Sequence, residues 1–338
     1  MTAPERGGRP EVAVVAVNWN GGQDCQAMLA SIRGQTLAPS EVVVVDNGSG
    51  DGSREWFQSQ PDVQVLANSE NLGFAAAVNQ GLRSTGAAFV LLCNLDVILD
   101  PGFLDAVVGR AGSAADIGSV GGRLRSGLGG APRLDSTGHV LYRNGWVSNR
   151  DQGAPDDGRR QQPEEVFGVS AAAALYRRQM LEDVAIQGEV LCEDFFAYLE
   201  DVDLDWRARW RGWRSWYEPA ATAIHRRGGT GLHATSAIER HVVANRISVW
   251  VRNAPPSWLG GGHLASAATL FTLRIGRAAL RHPAAALGAA DAMGRLPKSR
   301  RERRAIMERR KVQPETVARW AQPTPWGRIL GGGAGGRH

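Results

Sequence analysis

The chain has 338 residues, 43% hydrophobic and 22% charged, with a net charge of +5, which excludes general disorder. Cys25, Cys93 and Cys192 lie far apart with no CxxC pair, which excludes a disulfide framework and a cysteine-ligated zinc site and fits a reducing compartment. Residues 295–311, RLPKSRRERRAIMERRK, hold nine Lys/Arg against two Glu, so the rest of the chain is slightly acidic and that segment is expected to meet a partner.

Residues 1–10 have no apolar run behind their charges, so they read as a disordered tail without a secretory signal. Val12–Val17 is an unbroken β-branched run, expected as a parallel strand covered on both faces, and it ends in Asn18-Trp19-Asn20-Gly21-Gly22. Residues 23–34 read as a helix with Cys25, Met28, Leu29 and Ile32 inward. Glu41–Val45 is the next strand and breaks at Asp46-Asn47-Gly48-Ser49-Gly50-Asp51, with Ser53 as a helix N-cap. A third strand at 63–67 leads into Asn68-Ser69-Glu70-Asn71-Leu72-Gly73-Phe74 and a helix over 75–84. A fourth, 88–93, breaks at Asn94-Leu95-Asp96, and Asp100-Pro101 opens another helix.

Four strand-then-helix units in about 110 residues imply an α/β fold with a mostly parallel wound sheet. Ligands sit at the carboxyl ends of such strands, where Asn18, Asp46, Asn71 and Asp96 all fall. Residues 48–52, GSGDG, lack the spacing of a dinucleotide fingerprint, so a nicotinamide site is discounted.

Residues 121–165, rich in Gly, Arg and Asp, read as extended loops with a hairpin, forming a wall of an acceptor cleft. Phe167–Tyr176 reads as a buried strand, and Trp216–Ile224 as a last short strand delivering His225 into a Gly-rich turn. Between them, LEDVDLDWRARWRGW (199–213) places Asp201 over Asp205 and Asp203 over Arg207 on a helix. Alone, it reads as a charged helix start whose acids serve the dipole and the Arg residues. The sharper alternative is a carboxylate that takes a proton from a substrate. Past residue 236 the pattern is helical, and 264–282 sets Leu264, Ala268, Phe271 and Ile275 against Arg274, Arg277 and Arg281. That spacing suits either a helix in a membrane interface or one docked on the domain. No stretch approaches the ~20 apolar residues of a spanning helix, so a cytoplasmic protein is expected, peripheral at most on the inner membrane face. The tail lacks interleaved aromatics, which argues against nucleic acid.

Asn94-Leu95-Asp96 offers one hard oxygen ligand at a strand end, enough for Mg²⁺ or Mn²⁺ held mainly by substrate phosphates, and His225 is a candidate second ligand. VNWNG, VVVDNGSGDGS, NSENLGFAAAVNQGL, LLCNLDVILDPGFL and FFAYLEDVDLDWRARWRGW, in this order, resemble the family 2 glycosyltransferases with the GT-A fold, most of all the bacterial rhamnosyltransferase-like branch. The resemblance spans residues 11–250, divided into a nucleotide-binding half (11–110) and an acceptor half (111–250). A helical basic extension (251–312) and a flexible tail (313–338) would follow.

The resemblance implies that Asp46 contacts the base while Asn18, Asp51 and Asn71 line the nucleoside and diphosphate. Asn20, Asn47 and Ser49 belong to the same strand-end loops, as do Gly73, Phe74 and Asn79 beyond the third strand. Asn94 and Leu95 complete that set, with Asn94 standing where the family's DxD element has its first acid. Asp96 would be its metal-binding carboxylate, His225 a further ligand, and Asp201 the general base, with Glu200 orienting a sugar hydroxyl or the helix start. For Asp203 and Asp205, structural pairing with Arg207 and Arg209 is the expectation.

An inverting, metal-dependent transfer from a nucleotide sugar follows, with dTDP-L-rhamnose as the expected donor and UDP-galactofuranose or another UDP-hexose as alternatives. The acceptor would be a cell-envelope glycan or polyprenyl-linked hydroxyl, with a soluble small molecule as the alternative and membrane contact through 264–311. A non-catalytic nucleotide-sugar-binding subunit is the competing class, and its mark would be a missing base. The oligomeric state is not legible.

Overall fold

A computed structural model describes residues 11–127, 131–227, 236–281 and 283–324. The expected tail at 1–10, the Gly-rich residues 228–235 after His225 and the end of the chain from 325 lie outside them. The first half runs β1 (Val12–Asn18), α1 (Asp24–Arg33), β2 (Glu41–Asn47), α2 (Ser53–Gln58), β3 (Gln64–Asn68), α3 (Phe74–Arg83) and β4 (Phe89–Cys93). These strands are parallel in the order β4-β1-β2-β3. Successive side chains alternate across the sheet, so Val12, Val14 and Ala16 meet Met28, Leu29, Ile32 and Phe57 on one face. Val15, Val43 and Val45 meet Val78 and Leu82 of α3 on the other.

The second half runs β5 (Val97–Leu99), α4 (Phe103–Gly112), β6 (Ile117–Ser126), β7 (Leu134–Ser136), β8 (His139–Leu141), β9 (Val147–Asn149), β10 (Glu164–Val166), β11 (Ala173–Arg177), α5 (Arg178–Val184), α6 (Glu200–Trp210) and β12 (Arg214–His225). β11 enters antiparallel between β4 and β6, and β12 lies parallel to β6, which gives the order β10-β12-β6-β11-β4-β1-β2-β3. The mostly parallel wound sheet expected from the sequence is the one found.

Residues 121–165 differ from the expected loops. β6 is an interior strand, and its glycines mark tight packing: a Cβ on Gly122 would stand 2.3 Å from the Ala221 carbonyl oxygen. The expected hairpin is β8–β9. Only Ala173–Arg177 of the expected 167–176 strand is sheet, because residues 168–171 are drawn aside toward α6.

Four helices close the chain: α7 (Ser236–Asn253), α8 (Gly261–Arg281), α9 (Ala285–Glu308) and α10 (Pro314–Ala318). Trp206 and Trp210, interleaved with charges in the sequence, form their seam with Val249, Trp258 and Ile306. Beside it Asp203, fully buried, accepts from Arg207 Nε at 2.8 Å, Arg252 Nε at 2.8 Å and Asn253 Nδ2 at 2.7 Å, and Arg252 also pairs with Glu302. Burial alone would raise the Asp203 pKa, but the charges of Arg252 and Arg207 outweigh it and hold the group at about 2.

The basic segment 295–311 finds much of its partner in its own chain. Arg295 donates to Asn245 at 3.0 Å, Lys298 pairs with Asp194 at 2.9 Å, Arg303 donates to the Val251 carbonyl, and Arg309 donates to the Asp183 and Ala185 carbonyls. The flexible tail expected from 313 is corrected over 313–324, where α10 forms and the Gln322 N–H donates to the Leu141 carbonyl at 2.9 Å. Replacing Arg252 by Leu leaves Asp203 short of a charge partner inside the protein. The expected cost is about 3–5 kcal/mol, read from the urea midpoint.

Candidate active site

Strand register assembles the site. Asn18 and Asp46 are paired partners across β1 and β2, as are Asn47 and Asn68 across β2 and β3. Asn18 Nδ2 donates to Asp46 Oδ2 at 2.6 Å and to the Ser53 hydroxyl at 2.8 Å, while Asp46 Oδ1 accepts from the Gly48 and Ser49 amides at 3.1 and 3.0 Å. Both are fully buried. They shape the 48–53 turn from beneath and leave its exposed rim to Asn20 and Asp51. Asn20 Oδ1 accepts from Gly50 N at 2.9 Å, its own N–H donates to the Ser49 hydroxyl at 3.0 Å, and Asp51 Oδ2 accepts from Gly22 N at 2.9 Å. Ser53 is the first residue of α2 rather than its cap, and its hydroxyl serves Asn18.

Asn47 Nδ2 donates to Asn71 Oδ1 at 3.2 Å and the Gly73 carbonyl at 3.0 Å, which places Phe74 at the start of α3. Gly73 has φ +90°, and a Cβ there would lie 2.6 Å from the Phe196 ring. Asn79, expected among the nucleotide contacts, is instead buried and tied to Leu191 N at 2.9 Å, Leu191 O at 2.8 Å and Glu193 at 3.0 Å. Leu95 is likewise a core residue.

At the second pole, β12 pairs with β5 so that His225 faces Val97, the residue after Asp96. His225 Nε2 and Asp96 Oδ1 are 3.3 Å apart, and His225 Nδ1 lies 2.8 Å from Asp135 Oδ2. Burial opposes charge on the ring, but Asp135 and Asp96 outweigh it and lift its pKa to about 9. Asn94 is half-buried beside this pair, its N–H held by the Ala172 carbonyl at 2.9 Å. Among the described residues no three His, Cys, Asp or Glu converge as a closed metal cage. With its Nε2 proton released on binding, an imidazole nitrogen beside one carboxylate, its far nitrogen fixed on another, fits a divalent ion that keeps positions for phosphate oxygens.

The third pole is the start of α6. Phe196, Tyr198 and Leu199 all have φ between 61° and 72°, a left-handed run costly for side-chain-bearing residues. Asn245 of α7 holds it, its Nδ2 within 2.8–2.9 Å of the Phe195, Ala197 and Tyr198 carbonyls. Asp201 Oδ2 accepts from Ala171 N at 3.2 Å and its Oδ1 accepts from Val202 N at 2.8 Å. Burial, then the charges of Glu200 and Asp96, push the Tyr198 hydroxyl up, so this residue stands between the second and third poles.

Glu200 is buried with Oε2 lacking any partner among the described residues, and burial together with Asp201 raises its pKa to about 8. Asp203 pairs with Arg207 as expected, but Asp205 is corrected: it joins His139, Nδ1 to Oδ2 2.6 Å, while Arg209 turns to Glu165 and the Phe167 carbonyl. Asp135, His139 and Asn245 escaped the sequence reading. The first two sit in a Gly- and Arg-rich run whose long-range pairings leave no local signal, and a lone Asn in a long helix gives none either.

The model of Glycosyl transferase family 2 matches residues 13–185. Over 280 residues the chain is 31% identical to the N-acetylglucosaminyl-diphospho-decaprenol L-rhamnosyltransferase of Mycobacterium tuberculosis, covering 75% of this chain and 90% of the relative. It is 28% identical over 221 residues to the pre-mycofactocin glycosyltransferase of the same species, covering 64% of this chain and 42% of that one. Among solved structures, GalNAc-T7 with UDP, GalNAc and Mn²⁺ superposes with a TM-score of 0.59 at 12% identity, over 87% of this chain and 58% of that chain. The chain belongs to glycosyl transferase family 2: it is a glycosyltransferase with the GT-A fold, rhamnosyltransferase-like in sequence.

The raised Glu200 pKa has a stability consequence with a defined sign. The folded state keeps a proton there that the unfolded chain releases above its ordinary value of 4.5, so stability falls as pH rises toward about 8. Glu200→Gln removes that slope. Thermal melts of the variant should gain on the parent by on the order of 1 kcal/mol or more between pH 5 and 8.

Proposed function

We propose that the chain moves L-rhamnose from dTDP-L-rhamnose to a hydroxyl of a polyprenyl-diphosphate-linked cell-envelope glycan precursor, inverting the anomeric centre. The observation that carries this is the likeness to the mycobacterial decaprenol-linked rhamnosyltransferase across 90% of that protein's length. The polar poles support the same reading.

In this reading the loops around Asn20, Asp51 and Asn71 receive the nucleoside diphosphate. Asp96 and His225 hold Mg²⁺ or Mn²⁺, with Asp135 orienting the imidazole. A bound divalent ion supplies counter-charge for the departing diphosphate. Asp201 accepts the proton of the acceptor hydroxyl as its oxygen bonds to the sugar C1 and the C1–diphosphate bond breaks. Glu200, neutral near pH 7, is a hydrogen-bond donor beside it.

Asp201→Asn is expected to lower kcat about 10²–10⁴-fold with donor binding unchanged. A donor panel of dTDP-rhamnose, UDP-galactofuranose and UDP-hexoses with Mg²⁺ or Mn²⁺, scored by nucleotide diphosphate release, tests the donor. Full turnover by the variant would remove Asp201 from the chemistry, and preference for a UDP-sugar would overturn the rhamnosyl reading.

Contact with a lipid surface through 264–311 belongs to the same reading. No helix among the described residues is long and apolar enough to cross a membrane. Ala267 and Leu270 of α8 dock inward, while Leu280 is 87% exposed, and Met293 of α9 is 64% exposed. Arg300, Arg301 and Arg304 are exposed further along α9. Vesicles containing anionic lipid should retain the protein, and Leu280→Asp with Met293→Asp should release it; equal retention of both forms would count against this surface.

A further inference from the structure

We propose that His139 is a positioning residue for the transfer: clamped by Asp205, it sets a cationic imidazole behind Asp201 and supplies the counter-charge against which that carboxylate works as base. The inference deepens the assignment of Asp201 as base and rests on it.

The geometry is that of a built pair. His139 opens the β8–β9 hairpin, its N–H donates to the Gly168 carbonyl at 2.8 Å, and its side chain is 5% exposed. Its Nδ1 lies 2.6 Å from Asp205 Oδ2 and its Nε2 lies 3.8 Å from Asp201 Oδ2. Asp201 and Asp205 stand one helical turn apart on α6, so a single ring reaches both. Asp205 is fixed in turn by the Val169 N–H at 3.2 Å. A Cβ on Gly168 would fall 1.8 Å from Asp205 Oδ2, so only glycine lets the carboxylate reach its place.

The charges around the ring favour the cation. Glu200, Asp201 and Asp205 face it from α6, Asn149 hydrogen-bonds to it from β9, and the Tyr176 hydroxyl on β11 is buried in the field of the three carboxyls without a hydrogen-bond partner among the described residues. Arg209 feels Asp205 but spends its guanidinium on Glu165 and main-chain carbonyls. Among the described residues, His139 alone makes an ion pair with Asp201. Burial opposes charge on His139, yet the hydrogen bond and charge of Asp205, with the charge of Asp201, outweigh it and raise its pKa. During transfer the acceptor proton passes to Asp201 and the imidazolium stays protonated throughout.

Removing the cation takes away the counter-charge beside Asp201, which disfavours its ionised form and moves the acid limb of kcat upward. Profiles of kcat and donor KM against pH for the parent and His139→Gln test this. The variant should lose about tenfold or more in kcat near pH 6 and stay within about threefold of the parent near pH 8.5, with donor KM changed by less than about twofold. A loss equal at every pH, or an unshifted limb, would overturn the proposal. Should His139→Gln fail to fold, ring NMR of His139 in the parent and in Asp201→Asn reads the pairing without activity. The titration midpoint should fall by about a unit in Asp201→Asn, and an unchanged midpoint would overturn the proposal. Normal coupling by NMR with full turnover by Asp201→Asn would sink the base assignment instead.

Discussion

The carboxylate of Asp203 is an anion enclosed by protein, and its burial is tolerable only because Arg207, Arg252 and Asn253 surround it. Arg207 comes from the same helix, Arg252 and Asn253 from α7, and Glu302 of α9 completes the set behind Arg252. This network fixes the roll of α6 about its axis. With Asp203 turned into the seam, the helical period carries Asp201 and Asp205 to the opposite side, toward the hairpin and the sheet. The tryptophans act in the same direction: Trp206 packs edge-on against Phe167 and Trp258, and Trp210 donates to the Asn253 carbonyl at 3.0 Å.

One helix therefore carries two populations of acids with opposite electrostatics. Asp203 sits among guanidinium groups and stays ionised down to about pH 2, whereas burial near other carboxyls holds Glu200 at about 8 and Asp205 at about 6. Environments that push like groups apart in this way are how one short stretch divides structural from chemical work. In the sequence these three acids look alike.

The wound half was legible because its signal is local. β-branched runs, helical spacing and strand-end polar residues each lie within one element, and the strand ends of a parallel sheet necessarily meet along one edge. The second half was less so. β6 carries Gly118, Gly121 and Gly122 where Met180, Val169 and Ala221 press against the strand, and such glycines resemble loop composition. Pairings across long separations left no trace either: Asp135 reaches His225, His139 reaches Asp205, and Asn245 reaches the 195–198 carbonyls. Among the candidate nucleotide contacts, Asn18 and Asp46 stand at the strand ends as expected, yet the fold spends them on each other and on the turn above.

The left-handed run at Phe196–Leu199 bears on where this protein can be said to end. The Asn245 amide of α7 holds its carbonyls at 195, 197 and 198, and Arg295 of α9 grips that amide in turn. The family model stops at residue 185, ahead of the carboxylates at the start of α6. Mechanically the unit is wider. The last helices act as a brace on the start of α6, so the appendage and the sheet are a single engineering unit, and neither is free to drift in shape without the other.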